Sequence, residues 1–340
     1  MYINLLCFMI ISSLIVLFIS RKKNLFLDVK DTMHKRLVTN TEKYSIGGIL
    51  LFMFFIYFYY YIGELKSLYI LFFGLMLLVG FFSDLKLLEN PKKRFFIQIL
   101  ILFIFVYLID LRIPLTKIHT LDFFLNNFYF NKFFTIFCLM ILINGSNFID
   151  GINTLLIGYN ILICSALLLL FDTMLQDKLI VQCFLIALLV LLFFNSFGKI
   201  ILGDSGSYLL SFFIGIYLIN FSSSTNAFSP FLIILLLWYP CFELLFSMIR
   251  RVIANKKMYE PDIHHFHQIL FKYFDKKIKN ENLKHIAVSL LINGYAFLML
   301  FLIFNINQQL RVSHILIAIM TNIIIYLMTY VILINFIKKN

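Results

Sequence analysis

Four polar side chains, Asn144, Asn147, Asp150 and Asn153, recur every three residues in the stretch NGSNFIDGINTL, which lies between two apolar runs. Amides can hydrogen-bond a nucleobase or a sugar, and a carboxylate can bind a metal or a sugar hydroxyl. On an α-helix each three-residue step turns about 300°, so the four side chains would fan over about half the circumference. On a tighter 3₁₀ turn they would align. Gly145 and Gly151 favour an irregular helix end here. At membrane depth such backbone is tolerated where it lines a wet cavity. The same amides would also serve to join helices to one another.

Three further segments carry polar groups of the same kind. FFSDLKLLENPKKRFFIQ (81–98) contains Asp84 and Arg94, and FNSFGKIILGDSGSYLL (194–210) surrounds Asp204 with small residues. Small residues let a phosphate or metal approach the backbone, and a helix N-terminus favours anions. An ordinary helix cap has the same appearance. RRVIANKKMYEPDIHHFHQIL (250–270) places His264, His265 and His267 beside Arg250, Arg251, Lys256 and Lys257. The two-residue step from His265 to His267 suits a loop better than one helix face. No cysteine or further histidine completes a zinc site, so contact with an anion is the better reading. Asp84, Asp150 and Asp204 stand at or beside the ends of three different apolar runs. Together they suit a hard cation: Mg²⁺ takes one or two carboxylates plus waters and phosphates, and Mn²⁺ can substitute for it.

The elements that must position these residues are membrane helices. Of the 340 residues 62% are hydrophobic and the mean hydropathy is +0.94, where a soluble domain is nearer half apolar. Runs long enough to cross a bilayer, about 20 residues, recur at 2–20, 45–62, 67–83, 95–111, 131–146, 154–172, 178–195, 206–223, 230–249, 285–305 and 313–336. The expected fold is an all-α integral membrane bundle of about eleven helices, forming one domain over residues 1–340. The first run lacks a basic head and a small-residue cleavage site, and is expected to be a mature helix. By count, 23 of the 29 lysines and arginines fall in the loops after odd-numbered runs or in the C-terminal tail. The positive-inside rule then puts those loops and the C-terminus in the cytoplasm and the N-terminus outside. All four polar segments lie on that cytoplasmic side. The net charge of +12 becomes a property of that face, suited to anionic lipids and phosphorylated substrates rather than nucleic acid. Cys7, Cys138, Cys164, Cys183 and Cys241 lie within apolar runs, with no metal-site or disulfide spacing.

At these segments the sequence resembles the polyprenyl-phosphate N-acetylhexosamine-1-phosphate transferases. The resemblance implies a bacterial inner-membrane enzyme whose active site faces the cytoplasm. It would move an amino-sugar-1-phosphate from a UDP-sugar to undecaprenyl phosphate with Mg²⁺, releasing UMP and starting a cell-surface glycan. The family's Asp-Asp pair falls on Ser83 and Asp84, followed by Pro91, Arg94 and Gln98. Its Asn-x-x-Asn-x-x-Asp-Gly-x-Asp pattern falls on Asn144, Asn147, Asp150, Gly151 and Asn153, and its Phe-Asn and Gly-Asp-x-Gly-Ser patterns fall on Phe194, Asn195 and 203–207. The last motif falls on Pro261, Asp262, His265, His267 and Gln268, and an early pattern is partly kept in Asp31, Arg36, Gly47 and Gly48, with Thr39 and Tyr44 at two changed positions. Ser83, Asn153 and Gln268 depart from the family pattern. The interrupted histidine run fits the N-acetylhexosamine branch better than the muramyl-pentapeptide branch.

By this resemblance Asp204, with Asp84, binds the metal, while Asp84, Asp150, His265 and His267 are the catalytic set. Asn144, Asn147, Asn153, Asn195, Arg94, Arg250 and Arg251 would bind substrate. A homodimer is compatible with this reading. Two others stand beside it: a lipid-linked-sugar or ion-coupled transporter, and a catalytically silent paralogue. Ser83 supplies a first test. A phosphate monoester with its second pKa near ~6 is mostly a dianion at neutral pH, so the acceptor needs no base. Ser83→Ala should keep UMP release within about tenfold of wild type, or ~1.4 kcal/mol, whereas Asp84→Ala should lose far more.

Overall fold

The computed structural model describes residues 1–27, 43–63, 65–171, 177–225, 229–256, 264–306 and 311–339. Asp31, Arg36, Thr39, Pro261 and Asp262, singled out in the sequence, lie outside the described residues. The described elements are helical apart from two short strands. In chain order they are α1 (Tyr2–Lys23), β1 (Tyr44–Ser45), α2 (Gly47–Ile62), α3 (Ser67–Asp84), α4 (Pro91–Leu108), α5 (His119–Leu125), α6 (Phe128–Ile149), α7 (Leu155–Leu170) and α8 (Lys178–Ser196). There follow β2 (Ile200–Ile201), α9 (Gly203–Ser224), α10 (Pro230–Leu236), α11 (Trp238–Ile253), α12 (Phe266–Asp275), α13 (Glu281–Ile306) and α14 (Val312–Lys339).

A helix occupies each of the eleven apolar runs, but not all of them qualify as spans by length and composition. Among the described residues seven helices do, or eight if α10 and α11, bent by 77° at their junction, make one broken span. By that measure the polytopic helical fold is met and the count of eleven spans is not reached. Helices α2 and α7 have only 16 residues each, and α4 carries Lys92, Lys93 and Arg94 in its first turn. Local signals mark several starts. Asn90 accepts from the Lys92 amide at 2.9 Å ahead of Pro91, and Asn127 accepts from the Phe130 amide at 3.0 Å. Both satisfy amides that a helix leaves open at its N-terminus. The α10–α11 junction at Leu237 is followed by Pro240, which lacks the amide a continuous helix would need.

The most buried of the spans is α9, which packs against α2, α3 and α6. Its Phe213 lies 4.5 Å from Phe184 and 4.9 Å from Phe55, ring centre to ring centre, in a dry aromatic cluster. Lipid is as apolar as leucine, so helices in a bilayer associate mainly through close packing of small residues. The N-terminal end of α9 follows that rule. A Cβ on Gly48 of α2 would come within 2.6 Å of the Gly206 amide nitrogen, and one on Gly80 of α3 would overlap the Ser205 backbone. The strands tie the same region together. They pair in parallel, Tyr44 opposite Ile200 and Ser45 opposite Ile201, and each leads directly into a helix, so the N-termini of α2 and α9 are held side by side.

Close packing sets the expected response to added volume. Gly80→Ala should lower thermal stability in detergent by about 1–3 kcal/mol, the usual cost of overpacking. Gly294→Ala, where an added methyl meets nothing within 4 Å, should leave stability unchanged or raise it by up to ~1 kcal/mol through helix propensity.

Candidate active site

Asp84, the last residue of α3, reaches the first turn of α9. Its Oδ1 accepts from the Asp204 amide at 2.9 Å, and its Oδ2 accepts from the Ser205 amide at 3.1 Å and the Ser205 hydroxyl at 2.8 Å. A carboxylate from one helix thus caps the positive end of another. The approach requires glycine at 203, where φ is +69° and a side chain would overlap the Ser45 hydroxyl.

Asp204 sits on the same turn with a different set of contacts. Its Oδ2 accepts from Arg94 Nη1 at 2.6 Å and from the Ser83 hydroxyl at 2.5 Å. Arg94 also donates to the Ser83 hydroxyl. The Asp204 side chain is 22% exposed, and its Oδ1 makes no hydrogen bond among the described residues. An open carboxylate oxygen suits Mg²⁺, which would complete its shell with water and substrate phosphate. Among the described residues, no three His, Cys, Asp or Glu side chains gather into a ready-made metal cage.

The asparagine segment lies beside this cluster. Helix α6 remains α-helical through Ile149 and turns at Asp150, so the side chains fan outward instead of aligning. Asn144 donates to Gln98 of α4 at 3.3 Å and to its own helix at Met140. Asn147 accepts from the Ser207 hydroxyl of α9 at 3.0 Å. Gly145 serves packing, since a Cβ there would overlap the Pro240 carbonyl of α11. Asn153 accepts from the buried Lys43 Nζ at 3.3 Å, and its amide donates to His285 Nδ1 at 3.1 Å. Asn195, at the end of α8, accepts from the Thr154 amide and donates to the Ile200 carbonyl at 2.7 Å. It therefore ties the start of α7 to β2, a framework role in these contacts.

The histidines form a second group across α6. Phe148 lies 4.9 Å from the His265 ring and 5.6 Å below the Arg251 guanidinium. Arg250 lies over Phe246 and Tyr330. His265 immediately precedes α12 and stacks on His267 at 5.5 Å with rings nearly parallel. The Tyr239 hydroxyl and His267 Nδ1 are hydrogen-bonded at 3.2 Å. Burial pushes the His267 imidazole down to about 3, because a dry site disfavours the charged form. At neutral pH it is uncharged, which leaves Arg250 and Arg251 as the permanent charges for the expected anion contact. Behind His265 stands a residue that was not anticipated: Glu243 of α11, fully buried, accepts from His265 Nδ1 at 2.9 Å, the Phe266 amide at 3.3 Å and the Tyr326 hydroxyl at 2.6 Å. The signal was present, since it is the lone acid of the run 230–249 and such groups are expensive there.

With this geometry in view, the comparisons with known proteins become specific. The family described as glycosyl transferase family 4 matches residues 66–222. The matched stretch covers less than half of the chain. It contains Ser83, Asp84, Arg94, the asparagine segment, Asn195 and Asp204; Arg250, Arg251, His265 and His267 lie beyond it. The Escherichia coli (strain K12) undecaprenyl-phosphate alpha-N-acetylglucosaminyl 1-phosphate transferase is 29% identical over 153 residues, 42% of this chain and 41% of that protein. The Salmonella typhi protein of the same name is 27% identical over 241 residues, 67% of this chain and 65% of its own. A Bacillus subtilis probable undecaprenyl-phosphate N-acetylglucosaminyl 1-phosphate transferase is 28% identical over 136 residues, 38% of this chain and 37% of that one. The chain thus spans less than half the length of the Escherichia coli relative in that match.

The two carboxylates that meet at the first turn of α9 should respond differently to the same change. Asp84→Asn places an amide donor among three donors and should cost about 1–3 kcal/mol of stability. Asp204→Asn keeps an acceptor for Arg94 and should cost less, read by thermal unfolding of the two variants in detergent.

Proposed function

We propose that the chain transfers an amino-sugar-1-phosphate, of the N-acetylhexosamine type, from a UDP-sugar to undecaprenyl phosphate in a bacterial inner membrane. The observation that carries this reading is the hydrogen-bonded cluster of Ser83, Arg94 and Asp204 on the capped end of α9. Residues distant in sequence meet there beside the asparagine segment, within the span matched to the family. The names of the relatives supply the substrate pair. The excess of basic residues on one side supports a cytoplasm-facing site.

In this reading an oxygen of the lipid phosphate attacks the β-phosphorus of the UDP-sugar in line. The bond from that phosphorus to the bridging oxygen breaks, and UMP leaves with the bond's electrons. Phosphoryl transfer depends on positioning and on charge held in place. Arg94 supplies a fixed cation beside Asp204, and Arg250 and Arg251 supply two more across α6. Asn144, Asn147, Asp150 and Asn153 line the side on which the nucleotide-sugar would bind. Mg²⁺, held by Asp204 with Asp84 behind it, would offset the negative charge of the pyrophosphate. His267 takes part as a neutral hydrogen-bonding group.

The test is an incubation of the purified chain with undecaprenyl phosphate, Mg²⁺ and a panel of UDP-amino sugars. UMP release with at least one of them is expected. Asp204→Asn should reduce it at least a hundredfold and raise the Mg²⁺ requirement while the protein still purifies folded. A folded wild-type chain that releases no UMP from any donor would contradict the proposal.

A further inference from the structure

Glu243 is the most deeply buried carboxylate of the site region, with no exposed surface, and it lies in the broken span formed by α10 and α11. An acid at such a place is expensive, by about 2.5–3.5 kcal/mol at the centre of a membrane helix on insertion scales. A carboxylate there needs donors, and it has three. The Phe266 amide can only donate. It shares Oε1 with His265 Nδ1, while the Tyr326 hydroxyl takes Oε2. These donors come from α14, from the start of α12 and from the residue just before it, so one side chain holds the histidine turn against two other elements. Tyr330 of α14 adds a bond to the His264 carbonyl at 3.1 Å.

The consequence for His265 is chemical as well as mechanical. An oxygen that already accepts from an amide and belongs to an ionised acid can only accept from the imidazole, so the Nδ1 position carries the proton. In the neutral ring Nε2 is then the unprotonated nitrogen. His265 Nε2 has no hydrogen-bond partner among the described residues, and the ring contacts both Phe148 and His267. Ring plane, tautomer and free nitrogen are all set before any substrate arrives. Preorganisation of this kind is what transferring a charged group demands.

We propose that Glu243 is a positioning residue for the transfer. Its carboxylate holds His265 as the Nδ1–H tautomer and leaves Nε2 as the nitrogen available to the substrate phosphates. This rests on the proposed function for its kinetic consequence, but not for its geometry. A purely structural role makes a different forecast. Removing one partner of a buried pair costs stability, but in a purely structural role kcat per folded molecule would stay near wild type.

The test uses the full chain in detergent with two variants and two readouts. Glu243→Leu leaves three donors without their acceptor and should lower Tm, so it is assayed well below its own Tm. Its kcat for UMP release should fall at least tenfold, with KM for both substrates within about threefold. Glu243→Gln, whose amide oxygen still accepts from Nδ1–H, should recover part of that loss. In the second readout the chain is labelled with ¹⁵N-histidine, and the His265 signals are assigned by their absence from His265→Gln. Wild type should show the Nδ1–H signature, and Glu243→Leu should lose it. Wild-type kcat in a folded Glu243→Leu protein would overturn the proposal. So would an Nε2–H signature for His265 in the wild type, a result that does not depend on the folding of either Glu243 variant. A wild-type chain that shows the Nδ1–H signature but releases no UMP would defeat the functional reading and leave the geometric one intact.

Discussion

The contact on which the site depends is the grip of the Asp84 carboxylate on the first amides of α9. A helix that begins inside a protein leaves open donors and a partial positive charge. Here an acid from α3 satisfies both, and it can do so only because Gly80, Gly203 and Gly48 leave room for three chains to converge. A charged cap of this kind is worth about 1–2 kcal/mol, which in a bundle without a hydrophobic drive between helices is a large share of the local stability. Its position matters more than its magnitude. With α9 fixed at that end, Asp204 on the adjoining position is turned to Arg94 and Ser83, and one of its oxygens stays open. The two carboxylates are neighbours with separate tasks, one consumed by the fold and one left for chemistry.

Helix α6 joins this cluster to the histidines. Its last turns send Asn144 to α4, Asn147 to α9 and Phe148 to the ring of His265. Each contact is modest, of the order of 1 kcal/mol for a hydrogen bond. Together they place two charged groups on either side of one helix end: Arg94 and Asp204 on one, Arg250, Arg251 and the Glu243–His265 pair on the other. A pyrophosphate in transfer spreads its charge over several oxygens, and a site with cations on two sides is suited to it.

Much of this was legible in the sequence, for physical reasons that differ from residue to residue. Apolar runs located every long helix, because length and hydropathy are imposed by the bilayer. Spacing could not separate spans from helices too short or too charged at one end to qualify, and α2, α4 and α7 fall in that group. The aspartates stood out because charge near a membrane is costly. Whether Asp84 would cap a helix or face the substrate depended on where α9 begins relative to α3, and no local pattern carries that. The spacing of Asn144 and Asn147 left both a fan and an aligned polar edge open; the regular helix fans them, and Gly145 serves contact with Pro240. Glu243 was passed over although the same cost argument applies to it, since it lies inside an apolar run and away from any motif. Lys132 is a comparable case. It is wholly buried, yet it donates to the Val106 and Leu111 carbonyls and so closes the end of α4, a tertiary answer that its neighbours in sequence do not suggest.

The central claim is that phosphorus moves together with the sugar. It is tested most directly with a UDP-amino sugar radiolabelled in its β-phosphate, incubated with the purified chain, Mg²⁺ and undecaprenyl phosphate. Label recovered in the lipid phase, with unlabelled UMP in the aqueous phase, is the predicted result. Label left in aqueous UDP while the sugar appears on the lipid would show transfer of the sugar alone and would contradict the account.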